Sequence, residues 1–186
     1  MGWTFMEKPR DVRGYLDGAY SWTHDGIVNR VVDSAIVERT QYYCAVETVR
    51  PDGNRSVWAG VVLLKFVPRD RDGYTFGYKD MDESAGPYAW KCPLRILDLL
   101  TETDNEYANG WRAKVREYHA RRAALPKLEE GMRLRVLNES VPTIDGIPLR
   151  EVEVLRAGRK PLFKVDGFGG YFRWPSWRQY QIEEVV

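Results

Sequence analysis

Apolar and polar positions change their period several times along the chain, and each change predicts a different element. From Asp11 to Tyr20 the apolar set Val12, Tyr15, Leu16 and Tyr20 recurs at helical spacing behind Asp11 as a cap, weakened by Gly14 and Gly18. Between Val31 and Asp80 the pattern turns to strands: 31–38, 41–50, 56–67 and 73–80 are rich in β-branched and aromatic residues. Pro51-Asp52-Gly53-Asn54 predicts a hairpin, and Pro68-Arg69-Asp70-Arg71-Asp72-Gly73 a longer polar turn. Val57 to Val67 is apolar at nearly every position, which a strand wet on one face would not tolerate, so it is expected at the centre of a sheet covered on both sides. Pro93 suits the first position of a short helix delivering Leu94, Ile96, Leu97 and Leu100 to the core. Thr103-Asp104-Asn105-Glu106 then matches a capping box, predicting a helix from about Asp104 with Ala108, Trp111, Val115 and Tyr118 on its apolar face and Pro126 beyond its end.

After Pro126 the pattern breaks into short strands, 132–138, 151–157, 162–165, 171–174 and 180–185, with a single helical turn at Pro175-Ser176-Trp177. Five short strands of this kind predict a small SH3-like β-barrel. The expected fold is therefore α+β: an antiparallel four-stranded meander with two or three helices in residues 1–126, a linker over 127–131, and the barrel in 132–186. Asp166-Gly167-Phe168-Gly169-Gly170 reads as a hairpin turn, because it leads into Tyr171-Phe172-Arg173 and not into a phosphate-cradling helix.

Composition narrows the classes. The 186 residues are 44% hydrophobic and 13% aromatic with a net charge of +1, which excludes disordered, collagen-like and coiled-coil chains. No apolar run of about 18 residues predicts a membrane span, and the first residues lack a basic head and an apolar stretch, so a cytoplasmic protein without membrane attachment is expected. Met6 stands where a myristoylation signal wants Ser or Thr. Cys44 and Cys92 are expected to be reduced, and with His24 and His119 they show no zinc-ligand spacing. Neither a nucleophile elbow, a Walker loop nor a dinucleotide fingerprint is present. Charge is uneven: residues 106–186 carry 15 Lys and Arg against 11 Asp and Glu, while the first 105 carry three more acids than bases. That surplus permits a basic surface toward the C-terminus.

Two runs carry candidate chemistry. Asp80, Asp82 and Glu83 fall within four residues between a strand and a helix, and hard cations such as Mg²⁺ or Mn²⁺ want such oxygen ligands; with acids such as Glu47, Asp98 or Glu102 they would suit a metal-dependent phosphodiester hydrolase. Solvated loop charges, with Asp82 or Ser84 bonding the local backbone, are the simpler reading. The second run is basic and aromatic: Arg159, Lys160, Lys164, Phe168, Tyr171, Arg173, Trp174, Trp177, Arg178 and Tyr180. Rings beside cations hold single-stranded nucleic acid by stacking and charge, although a barrel of this size also needs tryptophans for its core. Arg112, Arg116 and His119 form a basic helix face, which the helix dipole alone would favour. His24 beside Asp25 has the makings of a general base, but no nucleophile can be assigned to it and a polar loop suffices.

Lys79-Asp80-Met81-Asp82-Glu83-Ser84, Gly86-Pro87-Tyr88, Cys92-Pro93 and Ile96-Leu97-Asp98-Leu99-Leu100 resemble an uncharacterised family encoded on bacterial plasmids and phages. The resemblance extends from Gly2-Trp3-Thr4 to Arg173-Trp174-Pro175 and departs from the family at Ala85, where methionine is expected. It implies a mobile-element setting and carries no activity. The sequence thus points to a non-enzymatic binding protein without cofactors, contacting nucleic acid or a host protein complex, with inhibition of host defence as one role for it. The hydrolase is the alternative, and the oligomeric state stays open.

Overall fold

The four strands expected between Val31 and Asp80 form, and two short ones join them. The computed structural model describes residues 2–69 and 72–185, so Asp70 and Arg71 of the polar turn lie outside the described residues. The chain folds as two units, Met1–His119 and Ala120–Val186. The first contains β1 (Thr4–Met6), α1 (Val12–Ala19), β2 (Trp22–His24), β3 (Ile27–Val37), β4 (Gln41–Val49), β5 (Arg55–Phe66), β6 (Phe76–Asp82), a 3₁₀ turn (Glu83–Ala85) and α2 (Leu94–Leu97). It is followed by α3 (Glu106–Ala123), inside which the division falls, ahead of segment 127–131. The sheet is six-stranded and antiparallel in the order β1-β6-β5-β4-β3-β2, an open half-barrel and not a four-stranded meander.

β4 and β5 are buried on both faces, as the unbroken apolar run of β5 requires. Tyr42, Cys44, Val46, Val62 and Leu64 point to one side, where Val12 and Leu16 of α1 close the core. Tyr43, Ala45, Ala59 and Val61 point to the other, against Ile96, Leu97, Trp111 and Val115. Gly60 is required by this packing, because a Cβ there would lie 2.7 Å from Cys44 Sγ and 2.9 Å from the Tyr20 ring. Gly77 does the same at the sheet edge, leaving room for the ring of Phe5, its register partner on β1.

The helices follow their local signals with adjustments. Asp11 caps α1 by accepting from the Gly14 N–H at 2.9 Å. Pro93 precedes α2, whose Ile96 and Leu97 are buried while Leu94 stays exposed, since a helix of one turn can turn only one side inward. α3 starts later than the capping box implies. Asn105 Oδ1 accepts from the Ala108 N–H, whereas Thr103 Oγ1 accepts from the Asn105 N–H, so the Asn side chain takes the cap.

The second unit contains β7 (Arg133–Val136), β8 (Thr143–Ile144), β9 (Ile147–Pro148), β10 (Glu151–Arg156), β11 (Leu162–Lys164), a 3₁₀ turn (Trp177–Gln179) and β12 (Ile182–Val185). Its sheet runs β11-β10-β7-β12, and β8 and β9 form a separate hairpin on an Asp145-Gly146 turn. The expected SH3-like β-barrel is therefore not formed, because neither sheet closes. The segment assigned to a strand at 171–174 explains why. It pairs only through Phe172, bridged to Phe163, after which Trp174 and Trp177 turn into the core and Pro175 has no N–H to continue a ladder. Leu125, Leu128 and Met132 pack against the same core, which ties the 127–131 segment to this unit.

Burial pushes the Cys44 thiol up to about 12 and raises Cys92, Tyr20, Tyr42 and Tyr43 for the same reason. Unfolded thiols ionise near about pH 8.5 and phenols near about pH 10, so stability present below these values is lost as pH rises, by about 1.4 kcal/mol per pH unit for each group ionised only in the unfolded chain. The urea midpoint should accordingly hold to about pH 8 and fall steeply beyond about pH 9; a flat profile through that window would mean these groups are not buried neutral. Gly60→Ala should lower stability by about 1–3 kcal/mol in the same assay.

A candidate anion-binding cavity

The acidic run is engaged in structure. Glu83 is buried, and its two carboxylate oxygens receive Arg112 Nε at 2.6 Å and Nη2 at 2.7 Å, a bidentate pair with side chains 6% and 9% exposed. Arg112 Nη1 donates to the Thr101 carbonyl at 2.6 Å, and the Ala59 N–H donates to Glu83 Oε1 at 3.3 Å. Asp82 caps the 3₁₀ turn, accepting from the N–H groups of Ser84 and Ala85 and from the Ser84 hydroxyl. Asp80 is exposed on β6. Among the described residues no group of three or more His, Cys, Asp or Glu is placed to hold a metal ion. With Glu83 and Asp82 so engaged, the three acids do not converge.

The basic helix face also dissolves. Arg112 is buried with Glu83; His119 Nε2 lies 2.8 Å from the Cys92 carbonyl; Arg116 stays exposed beside a depression of about 880 Å³ that it shares with Glu102 and Asp104. Arg112 sits four residues after Ala108 and three before Val115, so its position places it on the apolar stripe. That spacing was the available signal for its burial, and its charge masked it. His24 and Asp25 are exposed on the β2–β3 hairpin, where Asp25 and Gly26 take the positive φ of its turn, so the pair is turn chemistry.

The second unit brings the remaining candidates together. β10 leads through Gly158 to Arg159 and Lys160, and β11 leads through the Phe172 bridge to Arg173, Trp174, Pro175 and Trp177. These two segments face a common cavity of about 320 Å³, lined by Arg159, Lys160, Pro161, Arg173, Trp174, Pro175, Trp177 and Arg178. Its two indoles pack on a buried ring outside the lining: Phe163 lies 5.9 Å from Trp174 in edge geometry and 6.3 Å from Trp177. Trp174 and Trp177 are thereby buried, at 5% and 3% exposure, and their faces are not open platforms for bases. Four cations line the cavity and no carboxylate does. Among the described residues none of the four pairs with an acid, and the Arg178 guanidinium stacks 4.7 Å over the Trp177 ring. A second cavity, of about 390 Å³, shares Trp177 and Arg178 and adds Lys127 and Gly158.

Six of the eight residues expected to bind thus line one cavity. Lys164 and Tyr171 do not; both are exposed, on the outward side of the Phe163–Phe172 bridge. The prolines that wall the site and Lys127 were not singled out from sequence. Pro161 and Pro175, each following a basic residue or an indole, were the visible hint.

A family model described as a domain of unknown function (DUF6927) matches residues 102–177, well under half of the chain. The matched span takes in α3 and all the cavity residues except Arg178, and lies beyond the Lys79–Leu100 motifs. No curated protein and no solved structure matches the chain. Among the described residues no helix is long and apolar enough to cross a membrane.

Removing one partner of a buried ion pair strands the other, at about 3–5 kcal/mol, whereas replacing both with apolar groups of similar size is close to neutral. Arg112→Met should therefore destabilise by that amount, and adding Glu83→Leu should recover most of it in urea melts. Equal loss in the single and double variants would show that the pair is not what matters at this position.

Proposed function

We propose that the second unit is a non-enzymatic nucleic-acid-binding module that holds phosphate groups at Arg159, Lys160, Arg173 and Arg178. The observation that carries this reading is the convergence of four cations, without a carboxylate, on one concave site. Planar guanidinium forks match phosphate oxygens, and stacking on Trp177 holds Arg178 in place, so less conformational freedom is lost on binding. Because the indole faces are buried, affinity rests on charge and not on base stacking, which makes binding tolerant of sequence and sensitive to salt. Such a binder suits the mobile-element setting that the sequence resemblance implies.

Four neutralised phosphates predict that the affinity for single-stranded DNA falls with salt at a log–log slope of about −3. Arg173→Gln combined with Arg178→Gln should reduce the slope to about −1.5 while lowering the urea midpoint only slightly, since both side chains are exposed and only the Arg178 stacking on Trp177 is lost. Fluorescence anisotropy across a salt series reads both quantities. Absence of binding at low salt would overturn the proposal and redirect attention to a host protein partner.

A further inference from the structure

Phe5 has Gly77 as its register partner, and Gly77 is in turn paired with Lys65 on β5, so Phe5, Gly77 and Lys65 stand in line on one side of β1, β6 and β5. A Cβ at Gly77 would come within 2.7, 3.0 and 3.5 Å of three atoms of the Phe5 ring, so the ring lies across the glycine; it is nonetheless 40% exposed. Trp3 stacks on it with centroids 6.3 Å apart and planes at 30°, and is 42% exposed. A ring over an edge glycine is a packing device, which accounts for Phe5 but not for Trp3, a second large ring brought to the same spot and left in solvent. Phe66, on the opposite side of the same strands, shows the contrast: Lys8 Nζ sits 5.5 Å over its ring, whereas among the described residues no cation covers Trp3 or Phe5. The charges beside the two open rings have one sign. Lys79 follows Gly77 by two residues and so joins Lys65 on that side, and neither pairs with an acid among the described residues. No position of β1, β5 or β6 on that side is a carboxylate; Glu7, the nearest acid along the chain, lies past the end of β1.

We infer that this corner of the first unit's sheet is a second contact for single-stranded nucleic acid, on which bases stack against Trp3 and Phe5 while Lys65 and Lys79 meet the phosphates. It uses none of the cavity's residues and supplies open ring faces, which the cavity lacks. Flat rings accept any base, because every base has a π-face, and neighbouring cations hold the backbone that carries it. An apolar protein segment would cover the rings but leave the two ammonium groups facing it without a counter-charge, whereas a nucleotide brings a ring and an anion together.

The test compares oligothymidylate of about 12 nucleotides with an abasic strand of the same length, by anisotropy with the full chain at low salt; the phosphates are alike and only the bases differ. Oligothymidylate should bind about tenfold more tightly. Trp3→Ala should bring that ratio to about threefold or less without changing the affinity for the abasic strand, and since Trp3 is exposed and precedes β1, its removal leaves the sheet intact. Phe5→Leu, which keeps an apolar cover on Gly77, should act in the same direction. Lys65→Gln with Lys79→Gln should weaken both strands alike, by about threefold, because it removes phosphate contacts and not stacking. The ratio should survive Arg173→Gln with Arg178→Gln, which weakens both strands through the cavity. Equal affinity for the two strands overturns this inference and leaves the charge-based cavity reading standing, as does a ratio that the ring variants leave unchanged. A ratio that the ring variants abolish, with the cavity variant binding like the unsubstituted chain, upholds the inference and overturns the cavity. Failure of both strands to bind overturns both.

Discussion

Glu83 and Arg112 are each tolerable inside the first unit only because the other is there. The pair fastens the end of β6 to α3, and its remaining hydrogen bonds reach Ala59 on β5 and the Thr101 carbonyl before α3 begins. One ion pair thus draws three elements and a connecting loop together over the face that Trp111 and Val115 cover. Buried pairs of this kind add little net stability compared with an apolar contact, but they penalise any arrangement in which the partners are apart. The same contact removes an acid from the run that, read as sequence, looks most like a metal site.

The second unit meets a different constraint. With fewer than about 70 residues, a core has to be made from the largest side chains at hand. Phe163, Phe172, Trp174 and Trp177 provide it, and their alternation with Arg173 and Arg178 along the chain leaves the cations on the outside of the same segment. Aromatic residues and charges are therefore not two parts of one flat docking surface. The rings are buried in the core, and the exposed cations line the same cavity beside them.

What was legible in the sequence follows from how strongly each environment constrains residue type. β5 is sealed on both faces, and its apolar run could be read directly; β1 and β2 are three-residue edge strands whose side chains, Met6 apart, are exposed, and no pattern that short distinguishes them from loops. The barrel failed because the 171–174 segment has the alternation of a strand, while only coordinates reveal that it bridges at one residue and then turns inward. The cations of the cavity were legible as clusters at 159–160 and 173–178. The burial of the two indoles, which changes how they take part, depends on packing with Phe163 across the sheet and leaves no local mark.

The brevity of β1 and β2 has a further effect. They end the six-stranded sheet on both sides but pair with only part of their neighbours: β2 covers Ile27–Asn29 of β3, and β1 covers Phe76–Tyr78 of β6. Beyond those residues the outer edges of β3, over 30–37, and of β6, over 79–82, have no second strand partner among the described residues. On one flank that short strand is further held by Phe5 lying over Gly77. What discourages a foreign strand along the rest of each flank is therefore charge, carried by Arg30 and Asp33 on β3 and by Lys79 and Asp80 on β6.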